Sequence, residues 1–552
     1  MSSRNRTLVA GVVSLVLLAP GVHAAEDPAE RQSVEEVRNT VVNLLQALVD
    51  KGLLTREQAQ ELVKQAQAKA AADAAALAAK NAAQAKEEEN AVRVPYVPQI
   101  VKDEISKEVA QEVKPAVVAD VVEEAKKEKW GVPAALPEWL SRVKVFGDVT
   151  LRGQADLFPK DNSYQQLLDY NAVNAAGGIT AAANPFIDTT EDRYRLRVRA
   201  RLGVEGDMSD TVRAYIRLAS GSLTQVAGSE SQTLGTYGNR YNVGIDQAYI
   251  VWDSSPSTKL SLSTLEGGRI GNPWFAPTEL VYARDLTFEG VVNTLRAGWG
   301  AGGADRSHVY LTYGAFPMLE VPLQSQQDKW LLGAQVGTNL RFADGADHVR
   351  FGVAYYDFLK VTGQKNATDS TLLNYTAPPF VQWGNTMFDI SNSSQIDSAT
   401  NLFALAAHFR IADVAANYEH NFGRYSVAVT GEGARNLGYN LTQIEALSGD
   451  TFPTNQDMGY VGEVSFGNPV VDRFGLWRAA VGYRYVQADA VLDAWTDADF
   501  HEGGTNARGY YFWTSFGLTK NTWVRVRYLS ANEITGPRYG LDIVQLDVNA
   551  RF

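Results

Sequence analysis

The sequence predicts an all-β transmembrane fold, an antiparallel up-and-down β-barrel of about 16 strands preceded by an N-terminal α-helical region. From residue 143 onwards, segments of about ten residues alternate apolar and polar side chains, which is typical of membrane-spanning strands with one face in lipid. Many of these segments end in Trp or Tyr, the residues that form aromatic girdles at the membrane surfaces. Their connections alternate between tight turns, as at 206–210 and 255–259, and long polar loops, as at 156–190, 360–400 and 436–457.

A soluble β-sandwich is the alternative for residues 143–552, and two features disfavour it. Such domains rarely form one unbroken meander of this length, and they need apolar faces that meet in a core. The last segment, YGLDIVQLDVNARF, favours the barrel, because every second residue from Val544 to Phe552 is apolar and the residues between them are polar. We expect this segment to pair with the first strand near residue 143 and so to close the sheet.

Residues 1–24 are predicted to be a secretory signal peptide. Arg4 and Arg6 form a short basic head, an apolar run extends from Leu8 to Leu18, and small residues surround a cleavage site after Ala24. The apolar run is shorter than the ~20 residues that a spanning helix needs, which disfavours a membrane anchor. The remaining chain is acidic, so nucleic acid is not expected as a partner. The absence of Cys excludes disulfides and thiolate metal sites.

Residues 25–130 are predicted to be helical and partly coiled coil. Apolar residues spaced by three and four positions form a seam: Val34, Val37, Val41, Leu44 and Leu48. Such a seam buries its apolar side only against a partner helix, so an oligomerisation stalk in the periplasm and a solvated spacer both stay open. Residues 131–142 then form a linker to the barrel.

An arginine-rich strand carries the chemistry of the predicted barrel. Arginine occupies every second position of one segment and two positions of the next: Arg193, Arg195, Arg197, Arg199, Arg201, Arg213 and Arg217. An arginine facing lipid at the membrane midplane costs roughly 2–4 kcal/mol, so this row must face a wet lumen. Two interpretations stay open. The row lines the pore and attracts anions, or internal salt bridges neutralise it and it only rigidifies the wall.

A candidate constriction loop spans residues 265–290. Its charged residues are Glu266, Arg269, Glu279, Arg284, Asp285 and Glu289, and its Gly and Pro residues allow a compact fold. Such a loop can turn into the lumen and narrow it, or it can be an ordinary surface loop. Both interpretations stay open.

The sequence predicts no catalytic residue, no metal site and no cofactor. None of the histidines after residue 24 lies in an HExxH motif, and no GxSxG motif is present. Asp497, Asp499 and Glu502 have oxygen ligands that suit Ca²⁺, but an acidic run of this kind is more typical of a solvated loop.

Several segments resemble the putative porin family of Gram-negative bacterial outer membranes. They are GVPAALPEWLSRVKVFGDVTLRGQAD, DRYRLRVRARLGVEGDMSDTVRAYIRLASGS, SQTLGTYGNRYNVGIDQAYIVW, GGRIGNPWFAPTELVYARDLTFEGV and the aromatic C-terminus. The resemblance implies an outer-membrane channel for passive diffusion of small hydrophilic solutes, with its N-terminal region in the periplasm. By analogy with anion-selective porins, the arginine row favours anions.

The resemblance also implies partners. These are the lipid bilayer with its lipopolysaccharide, small hydrophilic solutes, and the outer-membrane assembly machinery, which reads a terminal aromatic residue such as Phe552. Whether three chains form a homotrimer stays open. The main alternative to a porin is a barrel-anchored periplasmic tether, or a structural outer-membrane protein without significant conductance.

Overall fold

The structure, a computed structural model, describes residues 142–254, 262–299, 307–322, 327–342, 345–394 and 401–552. The predicted signal peptide and helical region, and the linker up to residue 141, lie outside the described residues. In the part of the chain that is described, no helix is long and apolar enough to cross a bilayer.

Sixteen antiparallel strands form one closed barrel. They are β1 (Val143–Leu157), β2 (Arg193–Asp207), β3 (Val212–Ser220), β4 (Val243–Asp253), β5 (Leu262–Gly271), β6 (Thr287–Trp299), β7 (Ser307–Leu319), β8 (Lys329–Phe342), β9 (Asp347–Leu359), β10 (Phe409–Phe422), β11 (Tyr425–Asn436), β12 (Met458–Gly467), β13 (Trp477–Val486), β14 (Ala507–Thr519), β15 (Thr522–Glu533) and β16 (Gly540–Arg551). Each strand pairs with the next one along the chain. The predicted up-and-down barrel is confirmed.

The barrel closes between its first and last strands. Leu151 on β1 lies opposite Val548 on β16, and Gly147 and Phe552 exchange two backbone hydrogen bonds of 3.0 and 3.1 Å. A closed barrel leaves no strand edge to aggregate. The C-terminal segment is therefore the closing strand, as its alternation predicts.

The outer face of the barrel is apolar because the side chains of each strand alternate in direction. Exposed residues on this face include Val149 and Leu151 on β1 and Leu546 and Val548 on β16. Aromatic side chains are also exposed on outward positions of several strands: Trp252, Tyr313, Tyr355, Tyr418, Tyr460 and Tyr510. This surface suits the hydrocarbon interior of a membrane.

The connections at the two ends of the barrel differ in length. One end has the tight turns 208–211, 423–424 and 520–521, and the opposite end has the long loops 158–192, 360–408, 437–457 and 487–506. The long loops contain the helices Tyr170–Ala176 and Leu441–Ser448 and a small ribbon of Met387–Asp389 with Phe403–Leu405. Three 3₁₀ turns span Asn374–Thr376, Asp493–Trp495 and Phe500–Glu502, and Gln232–Thr233 adds a short strand beside β2. The predicted difference between tight turns and long loops is confirmed for these connections, and the turn predicted at 255–259 lies outside the described residues.

The interior of the barrel is apolar on one side. Inward positions of β6 to β10 carry buried apolar residues, which pack with residues from the long loops: Phe288, Phe316, Leu331, Tyr356 and Ile411 with Leu280, Tyr282 and Trp495. At the loop end of these strands the inward residues are therefore apolar rather than polar, whereas Gln335 and Asp413 face inwards further along β8 and β10. Loops that fold inwards cover these apolar positions, and the arginine-rich part of the lumen lies along the other half of the wall.

Candidate functional site in the barrel lumen

The polar half of the lumen is built on four adjacent strands in the order β15, β16, β1 and β2. One row of inward positions crosses all four, because Arg525 lies opposite Asp547, Asp547 opposite Arg152, and Arg152 opposite Arg197. Neighbouring strands are about 4.8 Å apart, so this row places three arginines and one carboxylate on a single strip of wall.

Most of the predicted arginine row is paired with carboxylates. Arg201 lies 2.7 Å from Asp148 on β1 and 3.1 Å from Glu230 in loop 221–242. The remaining ion pairs are Arg195 with Asp156 and Glu502, Arg199 with Asp148 and Glu230, Arg213 with Asp253, and Arg217 with Asp246 and Glu230. Five of the seven arginines thus contact an acidic group inside the barrel.

Arg193 and Arg197 differ from the other five. Arg193 is exposed at the loop end of β2. Arg197 is half-buried, and its hydrogen bonds are long, at 3.5 Å to Gln154 Oε1 and 3.3 Å to the carbonyl of Ser231. Among the described residues, neither arginine forms an ion pair. The salt bridges of the second interpretation are therefore present at five of the seven arginines, and anion attraction by the row stays a prediction.

The predicted constriction segment 265–290 contains two strands and a shorter loop, residues 272–286. Glu266 faces inwards from β5. Arg269 on β5 and Glu289 on β6 lie opposite each other, are joined by an ion pair, and face outwards at the loop end of the wall. These two residues lie away from the lumen, because they occupy outward positions of strands rather than a loop. Glu279, Arg284 and Asp285 belong to the loop itself.

Loop 272–286 crosses the lumen. Its Phe275 N–H donates to Gln335 of β8 at 2.7 Å, Thr278 Oγ1 donates to Glu432 of β11 at 2.5 Å, and the Glu279 carbonyl accepts from Arg484 of β13 at 3.0 Å. These three strands are well separated around the barrel, so a loop that contacts all of them must lie inside it. Leu280 and Tyr282 are buried within the loop.

Loop 487–506 also folds inwards. Asp499 lies 2.8 Å from Arg152 of β1, 3.0 Å from Gln545 of β16, and within hydrogen-bonding distance of Arg527 of β15. Glu502 lies 3.3 Å from Arg195 of β2. The loop is therefore fastened to the same four strands that carry the arginine row. An inward position of this loop was not predicted from the sequence, although its acidic residues were identified there.

The acidic run of this loop faces the arginines of the barrel interior rather than solvent. Asp497 pairs with Arg484 at 3.5 Å, so each of the three carboxylates has an arginine partner of its own. No group of three or more potential ligands converges on a metal anywhere in the described ranges. The expectation of a solvated loop is wrong for Asp497, Asp499 and Glu502, because the run is directed into the barrel, where arginines are the nearest charges.

Burial and charge shift the pKa values of the loop residues. Burial raises the pKa of Asp285 to about 6, with a further contribution from Glu279. Burial alone would raise the pKa of Asp499, but Arg152, Arg527 and Arg197 outweigh it and hold that pKa well below its usual range. Burial lowers the pKa of His501 to about 4, although its Nε2 bonds the Tyr539 carbonyl at 2.9 Å. At neutral pH Asp499 is thus charged and His501 neutral.

The inward loops and the four-strand wall enclose a cavity of about 630 Å³. Eight arginines line it: Arg152, Arg195, Arg197, Arg199, Arg201, Arg284, Arg525 and Arg527. Seven carboxylates line it as well: Asp169, Glu279, Asp285, Asp497, Asp499, Glu502 and Asp547. Four of the seven predicted row arginines, and three of the six predicted loop residues, thus lie on one charged cavity.

A closed sixteen-stranded transmembrane barrel, with loops that narrow a charged lumen, is the architecture of porin-type channels. The chain belongs to the putative porin family, whose model matches residues 38–552. It is an outer-membrane channel protein, and the resemblance in its arginine-rich and aromatic segments is confirmed. No curated protein matches it.

Solved structures similar to this chain are outer-membrane proteins. The channel DcaP of Acinetobacter baumannii is 12% identical, with 74% of this chain and 97% of that chain covered and a TM-score of 0.36. OprB of Pseudomonas putida, in a high-pH structure, is 10% identical, with 75% and 96% covered and a TM-score of 0.41. OmpF of Salmonella typhi, in complex with daunomycin, is 11% identical, with 74% and 97% covered and a TM-score of 0.37.

Proposed function

We propose that the protein forms a water-filled channel for passive diffusion of small hydrophilic solutes and that its lumen prefers anions. The observation that supports this most is the charge of the cavity, in which Arg197 and Arg525 have no ion pair with any described residue. Rings and rows of unpaired charge set ion selectivity in channels because they raise the local concentration of the opposite ion.

Planar bilayers test the proposal. Purified full-length protein should give stable, ion-permeable current steps in KCl, and the reversal potential in a KCl gradient should have the sign of anion preference. Changing Arg197→Ala together with Arg199→Ala should shift that potential towards zero. An unchanged potential would assign the arginine row to wall stability alone.

The second candidate function is that of a structural protein whose barrel does not conduct ions. The inward loops 272–286 and 487–506 favour it, because they fill part of the lumen. In this case the barrel anchors a periplasmic tether or has a structural role. The bilayer measurement separates the two functions, because a tether predicts a sealed barrel in which no current steps occur at any voltage.

The remaining features of the proposal concern the chain ends and partners. We infer that residues 1–24 are removed as a signal peptide and that residues 25–130 lie in the periplasm, before β1 enters the membrane from the end with the tight turns. Phe552 then serves as the signal for the assembly machinery, the outer face contacts lipid and lipopolysaccharide, and three chains associate as a homotrimer. Cross-linking of intact cells would test the trimer.

A further inference from the structure

We propose that the lumenal cavity binds organic carboxylates that have an apolar body, such as benzoate, and that Arg197 binds their carboxylate group. The inference rests on the proposed channel function and goes beyond it by naming the solute class. It combines two properties of one cavity, a guanidinium that forms no ion pair with a described residue and apolar side chains in the same lining.

The charges of the cavity lining single out Arg197. Arg152 contacts both Asp547 and Asp499, Arg195 contacts Asp156 and Glu502, and Arg201 contacts Asp148 and Glu230. Such arginines are neutralised and offer little net attraction to a solute. Arg197 lies between Arg195 and Arg199 on β2 and has only two long hydrogen bonds, to neutral oxygen atoms.

Arg197 also has an unused donor. Its Nε–H is buried and has no hydrogen-bond partner, and the same is true of the Nε–H groups of Arg195 and Arg199. An unmade hydrogen bond at a buried donor is unfavourable, so this guanidinium is incompletely satisfied by the protein. A guanidinium presents parallel N–H groups whose spacing matches the two oxygens of a carboxylate. The local chemistry therefore favours a carboxylate over a spherical ion.

Arg525 is the other lining arginine without an ion pair to a described residue, but its guanidinium is occupied differently. Its Nε donates to Ser515 Oγ at 2.8 Å, and its Cζ lies 4.8 Å from the centre of the Trp513 ring. Stacking on an aromatic ring holds the charge against the wall. We therefore assign Arg525 to the general anion preference and Arg197 to binding.

Apolar residues from three loops line the same cavity. They are Leu168 and Ile187 of loop 158–192, Phe380, Val381 and Trp383 of loop 360–408, and Tyr539 of loop 534–539. The Trp383 and Tyr539 rings meet edge to face at 6.1 Å, and Trp383 Nε1–H is buried without a hydrogen-bond partner. A chloride or phosphate ion would leave this surface unused, whereas an aromatic ring could pack on it.

The volume of the cavity fits the inference. Pockets for small organic ligands span about 300–1,000 Å³, and they combine mostly apolar walls with a few polar groups that fix orientation. The cavity, at about 630 Å³, lies within that range. Because it is more polar than a typical ligand pocket, we expect weak binding that permits release, as passage through a channel requires.

Calorimetry on the full-length protein in detergent tests the inference without needing conductance. Sodium benzoate should bind, sodium acetate should bind at least about tenfold more weakly, and uncharged benzyl alcohol should not bind detectably. Arg197→Gln should weaken benzoate binding at least about tenfold. Arg213→Gln is the matched control, because Arg213 also faces inwards and lies outside the cavity lining.

Three outcomes would overturn the inference: no benzoate binding, equal binding of benzoate and acetate, or equal benzoate affinity in the wild type and in Arg197→Gln. If Arg197→Gln does not fold, Arg197→Lys keeps the charge but loses the paired N–H groups, and should also weaken benzoate binding relative to the wild type. Channel currents are recorded separately. Currents without benzoate binding would reject the solute class and keep the channel, and benzoate binding by a sealed barrel would reject the channel alone.

Discussion

The carboxylate of Asp499 lies 2.8 Å from the guanidinium of Arg152 and joins an inward loop to the barrel wall. The same carboxylate contacts Arg527, so one acidic side chain bridges β1 and β15 across β16. Arg152 is itself held by Asp547 at 2.7 Å. The position of loop 487–506, and with it the size of the cavity, thus depends on a small network of charges that are largely shielded from solvent.

Asp499→Asn should loosen the loop and destabilise the barrel. The change removes the negative charge that Asp499 places beside Arg152 and Arg527. Breaking a buried ion pair from one side costs about 3–5 kcal/mol. We expect a lower free energy of unfolding in urea, larger and noisier current steps, and a stronger anion preference. Asp472→Asn is the control, because Asp472 lies in an exposed turn with Arg473 as its partner. Identical single-channel currents in Asp499→Asn and the wild type would contradict a constricting role.

Acidification from pH 7 to pH 5 should increase the anion preference. The raised pKa of Asp285, about 6, means that this carboxyl takes up a proton in that range and removes one negative charge from the cavity lining. Burial also raises the pKa of Glu230 to about 7, so part of the effect comes from that residue. Asp285→Asn should therefore show a smaller change of reversal potential with pH, and Asp161→Asn, at an exposed pair with Arg538, should behave as wild type.

The raised pKa of Asp285 also makes the free energy of unfolding depend on pH. A carboxyl whose pKa is higher in the folded state destabilises the fold while it is ionised, so this cost is lost as the pH falls through about 6. His501 acts in the opposite direction, because its pKa is lowered to about 4 and the unfolded chain takes up the proton first. Equal pH dependence of unfolding in Asp285→Asn and the wild type would contradict the assignment.

The strands were predictable because a single physical rule fixes them. A lipid-facing side chain must be apolar, so alternation shows itself in β2 through Tyr194, Leu196 and Val198 between the arginines. Closure followed from the same rule applied to the last segment. The acidic partners on β1 were also predictable, because Asp148 and Asp156 fall on the same face of that strand.

The inward loops were not predictable, because their contacts are non-local. Trp274, Tyr282 and Trp495 look like aromatic residues of any surface loop, and only the fold brings them to the inner face of β6 to β10. Those strands have apolar residues on both faces, which hides which face is lumenal. Arg269 and Glu289 were wrongly predicted to lie in a loop. Gly267, Gly268 and Gly290 interrupt the alternation of apolar and polar residues in the two strands that carry them.

Thr278→Val should weaken the attachment of loop 272–286. Thr278 donates to Glu432 from both its backbone N–H, at 3.1 Å, and its hydroxyl, at 2.5 Å. Valine keeps the shape but removes the hydroxyl donor, and leaving a buried acceptor short of a partner costs about 1–3 kcal/mol. We expect a lower unfolding temperature and more frequent current fluctuations in bilayers. Thr519→Val, in an exposed position beside a tight turn, should change neither measurement.

Gly147→Ala should weaken the closure of the barrel, whereas Gly153→Ala should not. Both glycines occupy outward positions of β1. A Cβ at residue 147 would lie 2.6 Å from the Arg201 carbonyl oxygen and 2.6 Å from the Phe552 ring, so the junction with β16 or β2 must shift. A Cβ at residue 153 meets nothing nearer than Leu196, at 3.9 Å.

The comparison is read from the temperature at which the folded barrel unfolds in SDS, which reports barrel closure directly. Gly147→Ala should lower this temperature clearly, and Phe552→Ala in the same background should restore part of the loss, because the ring is one of the two clashing groups. Partial rescue would separate the clash with Phe552 from the clash with the Arg201 backbone, which no side-chain change can remove. If Gly147→Ala and Gly153→Ala unfold at the same temperature, the junction between β1 and β16 adapts more easily than its close packing implies.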